Sequence, residues 1–378
     1  MISVLVVDDS VVVRRLIVDA LSDVPGIQVV GTAANGLLAQ ARIDQLKPDV
    51  VTMDIEMPQM NGIEAVRELR KRHARLPVIM FSTLSASGAS TTLEALAAGA
   101  TDYVTKPSNV GSIAESVAAV REQLVPKIHA LAGRSAAPRT AAPARSAPPR
   151  PPGTPAPART AAPPTRPVTA GPAVRRRPQG RVDVIAIGCS TGGPDALAKV
   201  LMGLPTELPV PVVVTQHMPP VFTRMFAERL DRSTPLTVVE AGDGMDLTAG
   251  NVYVAPGDKH LVLQRRGTAT VTQLSGAPPE NSCRPAVDVM FRSVAQLYGG
   301  SACAVVLTGM GQDGRGGAKV LRDAGAAVLA QDERSSVVWG MPGAIAGAGL
   351  ADEILPLDRI AGALIARLTV GRSAAVVR

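Results

Sequence analysis

The chain has 378 residues, 39 of them Lys or Arg and 32 Asp or Glu, for a formal net charge of +7. That length exceeds what one core ordinarily serves, so two domains are expected. An apolar share of 46% excludes a chain disordered throughout, and one Trp, three Tyr and four Phe argue against binding single-stranded nucleic acid through stacked bases.

The N-terminal third alternates short Val- and Ile-rich runs with helical patterns. Strands are expected at 2–7, 28–32, 49–53, 78–81 and 101–105, and helices at 12–22, 62–72, 93–98 and 113–128. Repeated β–α units imply a parallel sheet covered on both faces, a flavodoxin-like (βα)5 domain over 1–133.

Residues 134–180 break that rhythm, with 13 Pro, 12 Ala and nine Arg among 47 residues and no acidic side chain. This composition predicts an extended, disordered linker kept solvated by its own charge. Residues 1–133 carry 12 basic and 14 acidic side chains, and residues 181–378 carry 18 of each. The basic balance therefore belongs to a tether, and no nucleic-acid partner is expected.

Beyond the linker, strand and helix patterns resume at 183–188, 194–201, 210–216 and 221–230. Shorter strands at 235–240, 251–255, 261–264 and 268–274 are expected to be partly antiparallel. Strand 302–308, helix 317–324 and strand 327–331 restore the β–α order. A doubly wound, mostly parallel α/β domain over 181–378, with a small antiparallel excursion, is the expected architecture.

Three Cys, at 189, 283 and 303, show no paired spacing. That suits a reducing compartment and argues against a disulfide framework or a zinc cluster. The start MISVLVVDDS reaches two Asp within nine residues, unlike a signal peptide, and the best candidate span, 335–351, is broken by five Gly and Pro. A soluble, cytoplasmic, non-spanning protein is expected.

Two groups of residues carry chemistry. Asp8 and Asp9 end the first strand, Asp54 the third, Ser82 the fourth and Lys106 the fifth. In an open parallel sheet these ends share one rim. Converging carboxylates there call for a cation, and oxygen ligands suit Mg2+. Lys106 and Ser82 would face the oxygens of a phosphoryl group.

In the C-terminal part, GCSTGG at 188–193 places Ser190 at a Gly-rich strand-to-helix turn. Such a turn either exposes a nucleophilic hydroxyl beside helix amides or cradles a phosphate. His217 follows the next strand on the same rim, which favours the nucleophile, because a Ser needs a base. Asp313, in LTGMGQDG, stands at a third strand end; spacing alone leaves Asp195, Asp246 and Asp288 as competitors for the orienting carboxylate. Cys189 has no base beside it by sequence and reads as a buried thiol.

The segments VVDDS (6–10), MDIEMPQMNG (53–62), FST (81–83) and DYVTKP (102–107) resemble response-regulator receiver domains. That resemblance implies phosphorylation of Asp54, Mg2+ held by Asp8, Asp9, Asp54 and the backbone carbonyl of Glu56, phosphoryl sensing by Ser82 and Lys106, and a rotating switch aromatic at Tyr103. The segments GCSTGGP (188–194), TQHMPPVFTRMFAERLD (215–231), VAPGDKHL (254–261), ENSCRPAVDVMF (280–291), LTGMGQDG (307–314) and QDERSSVVWGMPGAI (331–345) resemble the chemotaxis protein-glutamate methylesterase (CheB) family. It implies Ser190 as nucleophile, His217 as base, Asp313 as its partner and the Met310 amide in the oxyanion hole, with no esterase cofactor. The implied substrates are glutamate methyl esters, and glutamines, on methyl-accepting chemotaxis receptors. A histidine kinase of the chemotaxis array would be the phosphodonor, at the inner face of the membrane. Ala286 stands where this family more often has Ser, and Cys189 where it often has Ala. The alternative is a response regulator with a non-catalytic nucleotide-binding output domain.

Overall fold

A computed structural model describes residues 1–107, 112–132, 180–370 and 372. The linker expected over 134–180 lies outside the described residues, apart from Gly180.

The N-terminal sheet contains β1 (Ile2–Val7), β2 (Ile27–Ala33), β3 (Val50–Asp54), β4 (Val78–Ser82) and β5 (Asp102–Thr105). Its strands are all parallel, in the order β2-β1-β3-β4-β5. Between them run α1 (Val11–Ser22), α2 (Gly36–Leu46), α3 (Gly62–Arg72), α4 (Ala86–Ala97) and, after β5, α5 (Ile113–Ala132). β3 and β4 are buried at every position, as strands covered on both faces must be. Local chemistry starts the helices: the Ser10 hydroxyl accepts from the Val13 amide, and Asn61 and Glu64 form a reciprocal capping box at α3.

The C-terminal sheet has seven parallel strands in the order β14-β13-β12-β6-β7-β9-β8. They are β6 (Val184–Cys189), β7 (Val212–Gln216), β8 (Thr237–Glu240), β9 (Asn251–Val254), β12 (Ala302–Val306), β13 (Ala327–Gln331) and β14 (Glu353–Leu355). The helices are α6 (Gly193–Met202), α7 (Phe222–Ser233), α8 (Val287–Tyr298), α9 (Arg315–Asp323), α10 (Met341–Gly347) and α11 (Leu357–Leu368). β10 (His260–Arg266) and β11 (Ala269–Ser275) form a separate antiparallel hairpin.

The antiparallel excursion is therefore smaller than four strands. β8 and β9 pair in parallel, because residues 241–250 cross over and return the chain to the starting edge before β9 inserts beside β7. Helix α4 starts seven residues before its expected position, where Ser85 caps it. The doubly wound topology brings the C-terminal ends of β6, β7 and β12 to one rim, the ordinary ligand edge of such a sheet.

Candidate active site

Ser190 directly follows β6, and its amide donates to the Thr308 carbonyl beyond β12. Gly192, at φ 75, makes the turn into α6 in a backbone region that L side chains rarely adopt. Gly309 lies so close that a Cβ there would stand 2.9 Å from the Ser190 Cβ. This approach brings the segment carrying Met310 alongside the serine. The Met310 amide has no hydrogen-bond partner among the described residues.

His217 follows β7, and its amide donates to the Cys189 carbonyl, tying the β6 and β7 ends together. Its Nε2 lies 2.8 Å from Asp313 Oδ2. Since a carboxylate only accepts, Nε2 carries the proton in the neutral ring, and in that form Nδ1 is the nitrogen left to act as a base. Burial opposes the imidazolium, but the hydrogen bonds to Asp313 and Cys283 outweigh it and raise His217 to about 9. Ser190 and His217 line one pocket of about 200 Å³, although no hydrogen bond joins the Ser190 hydroxyl to the imidazole.

Asp313 is held from several sides. Its Oδ2 accepts from the Val287 amide and its Oδ1 from the Asp288 and Gly314 amides. It thus caps α8 from another segment, and the helix N-terminus stabilises its charge. Burial works against ionisation, but His217 and these amides prevail and hold Asp313 below the usual carboxylate range. Asn281, at φ 53, donates from Nδ2 to both Asp288 Oδ2 and Asp313 Oδ1, at 3.0 Å each. The other candidate carboxylates are engaged elsewhere: Asp195 with Lys199, Asp246 with Arg266, and Asp288 with Asn281 and the Gly317 amide.

Sequence reasoning missed two neighbours of the imidazole. Cys283 Sγ lies 3.5 Å from His217 Nδ1, and Asn281 braces Asp313. Both sit in ENSCRPAVDVMF, where nothing local signals that the segment folds over a histidine 64 residues or more upstream. Cys189 is fully buried and its thiol is pushed far up by burial, so it has no nucleophilic character.

The N-terminal rim holds the other group. Asp8, Asp9 and Asp54 each offer a carboxylate oxygen within 4.8 Å of the others. Lys106 Nζ is 2.8 Å from Asp54 Oδ1 and 3.4 Å from Asp8 Oδ2. The Ile55 amide also donates to Asp54 Oδ1, leaving Oδ2 free of hydrogen bonds. Asp8 Oδ2 is buried and accepts no hydrogen bond, and burial together with the Asp54 charge raises Asp8 to about 6. A buried carboxylate oxygen without a hydrogen bond, in a group of three acids facing Lys106, fits a hard divalent cation. Glu56 is exposed beside this cluster. The Ser82 hydroxyl donates to the Gly88 carbonyl at 3.1 Å and accepts from the Thr92 hydroxyl.

The two halves meet over the serine. The Tyr103 and Phe222 rings stack at 4.9 Å with planes 7° apart. Thr191, next to Ser190, donates to Asp102 Oδ2 at 2.7 Å, and Lys127 on α5 pairs with the same oxygen at 2.6 Å. Arg229 on α7 donates to the Leu93 carbonyl of α4 at 2.8 Å. The Ser190–His217 pocket is consequently walled by Asp102, Tyr103, Gln123 and Lys127.

Comparison with known proteins agrees with both halves. Residues 4–118 match the response regulator receiver domain family and residues 185–364 the CheB methylesterase family. A protein-glutamate methylesterase/protein-glutamine glutaminase of Nocardioides sp. is 51% identical over 99% of this chain and 98% of its own. That of Trichodesmium erythraeum is 45% identical over 97% and 98%. The crystal structure of the Thermotoga maritima CheB methylesterase catalytic domain is 42% identical, covers 49% of this chain and 98% of its own, and has a TM-score of 0.48. No helix among the described residues is long and apolar enough to cross a membrane. With a receiver fold joined to a Ser-, His- and Asp-bearing α/β fold, and near-full-length relatives at this identity, the chain belongs to the protein-glutamate methylesterase/protein-glutamine glutaminase (CheB) family.

Proposed function

We propose that this chain is a phosphorylation-activated hydrolase that removes methyl groups from glutamate methyl esters, and deamidates glutamines, on methyl-accepting chemotaxis receptors. Residues 1–133 form the receiver, 134–180 the linker and 181–378 the catalytic domain. The observation that carries the reading is the 2.8 Å contact of His217 with Asp313 in a pocket shared with Ser190.

Ser190 Oγ attacks the ester carbonyl while its proton passes to His217 Nδ1. Asp313 holds the Nε2 proton and stabilises the imidazolium. The oxyanion forms beside the Met310 amide. The imidazolium returns its proton to the departing methanol, and the same nitrogen then activates a water that releases glutamate and restores Ser190. A glutamine side chain follows the same course with ammonia leaving.

In the receiver, Asp54 Oδ2 attacks a phosphodonor, the histidine kinase of the chemotaxis array. Asp8, Asp9, Asp54 and the Glu56 carbonyl would hold Mg2+, which supplies charge neutralisation for the transferring phosphoryl group. Lys106 grips a phosphoryl oxygen, and Ser82 turns from Gly88 to another. Tyr103 moves with that turn and leaves the Phe222 ring, so the population shifts toward an uncovered active site. The enzyme acts in the cytoplasm at receptor arrays.

The test is methanol release from methylated receptor, with and without a small phosphodonor in Mg2+. Ser190→Ala should abolish release, and Asp54→Asn should abolish the response to phosphodonor. Retained release in Ser190→Ala would place the nucleophile elsewhere.

A further inference from the structure

His217 faces two partners, and only Asp313 is accounted for by hydrolysis. On the other side of the ring, Cys283 Sγ lies 3.5 Å from Nδ1. A thiolate and an imidazole are the two ligand types that zinc prefers. With Zn–S about 2.3 Å and Zn–N about 2.05 Å, a tetrahedral angle sets the two donor atoms about 3.5 Å apart. The pair already has that separation. A histidine that ligates a metal ordinarily donates its far N–H to a carboxylate, which fixes ring and tautomer. Asp313 does this at Nε2, 2.8 Å away.

The surroundings suit a cation. Cys283, His217 and Asp313 offer a sulfur, a nitrogen and an oxygen within 4.8 Å of one another. The neighbouring cations are already engaged: Arg284 with Asp258, and Arg292 with Glu280. Cys283 is half-buried, whereas Cys189 and Cys303 are fully buried and out of reach.

We propose that His217 Nδ1 and Cys283 Sγ form an inhibitory chelating site for Zn2+. Binding releases the thiol proton, and with it the Nδ1 proton of the imidazolium form, to solvent, and takes the imidazole lone pair that Ser190 requires. Two protein ligands leave the remaining coordination positions to water, so the site is reversible and chelator-sensitive. The inhibitory consequence rests on His217 being the base; the binding itself does not.

The test uses the full chain with excess Mg2+ to occupy the receiver carboxylates, and Co2+ as the spectroscopic probe. The expected result is one equivalent of Co2+ giving a near-ultraviolet sulfur-to-cobalt band, erased by Zn2+. The band should vanish in Cys283→Ser and be lost or greatly weakened in His217→Gln. Zn2+ should lower methanol release by about 100-fold, the scale of a lost general base, with recovery on adding EDTA. Absence of the band, or its persistence in Cys283→Ser, overturns the site. A band without any esterase activity would keep the metal site and reject the hydrolase reading; activity unaffected by bound Zn2+ would reject the inhibitory role.

Discussion

Arg229 offers a clean handle on the covering of the active site. It stands on α7, clear of Ser190 and His217, and its Nη1 donates to the Leu93 carbonyl across the two halves. A hydrogen bond from a charged donor contributes about 1.5–3 kcal/mol, and the half-buried position of this guanidinium favours the lower end. Losing about 1.5 kcal/mol from the closed form alone multiplies the open population by about tenfold while the closed form dominates. Arg229→Ala should therefore raise methanol release without phosphodonor by about that factor, leave the phosphorylated rate unchanged, and so shrink the activation ratio. The assay is initial methanol release from methylated receptor in matched reactions with and without phosphodonor. An unphosphorylated rate equal to wild type, in a variant that melts normally, would refute the claim that this contact holds the site closed.

Other outcomes follow from the same geometry. His217 is raised above its ordinary 6.5 to about 9, so its bound proton stabilises the fold below about pH 6.5 and that contribution disappears as pH rises through about 9. The melting-point gap between wild type and Asp313→Asn should narrow across this window, and a widening gap would contradict the pairing. Asp8 is raised from 3.8 to about 6, so its burial weakens the fold progressively as pH rises from about 3.8 to about 6 and by a constant amount above that, until a cation compensates. Mg2+ should raise Tm distinctly at pH 7.5 and much less at pH 5; equal shifts would count against a site built on Asp8. Asn281→Ala removes one of three donors to Asp313 Oδ1 and should lower kcat about tenfold with little change in KM, since a side-chain hydrogen bond to a buried carboxylate is lost while the Asp288 and Gly314 amides still hold it in place. An effect confined to KM would reassign Asn281 to substrate binding.

The strand ends bearing Asp54, Ser190, His217 and Asp313 were legible because their chemistry sits in short motifs at the close of apolar runs. The helix α8 was not. It has no capping side chain of its own, and its cap is Asp313, 26 residues beyond the Val287 amide it accepts from. For the same reason Asn281 and Cys283 escaped notice: their importance comes from a segment that returns over His217. Four competing carboxylates were equal by spacing, and only tertiary contacts separate them. Helix α4 was shortened because ASGASTT is poor in strong helix formers, and the Ser85 cap with burial of Ala89, Thr92 and Leu93 decides its start. The parallel pairing of β8 and β9 depends on where residues 241–250 run, which alternation cannot encode.

The bond from Thr191 to Asp102 also constrains how this enzyme can evolve. The residue that ties down the Ser190 loop is the immediate neighbour of Ser190, and its acceptor is the immediate neighbour of Tyr103. Restraint and chemistry are thus inherited as adjacent codons in both halves. A receiver borrowed from another regulator would lose these two contacts beside Ser190 unless it brought an acid and an aromatic ring at these two positions.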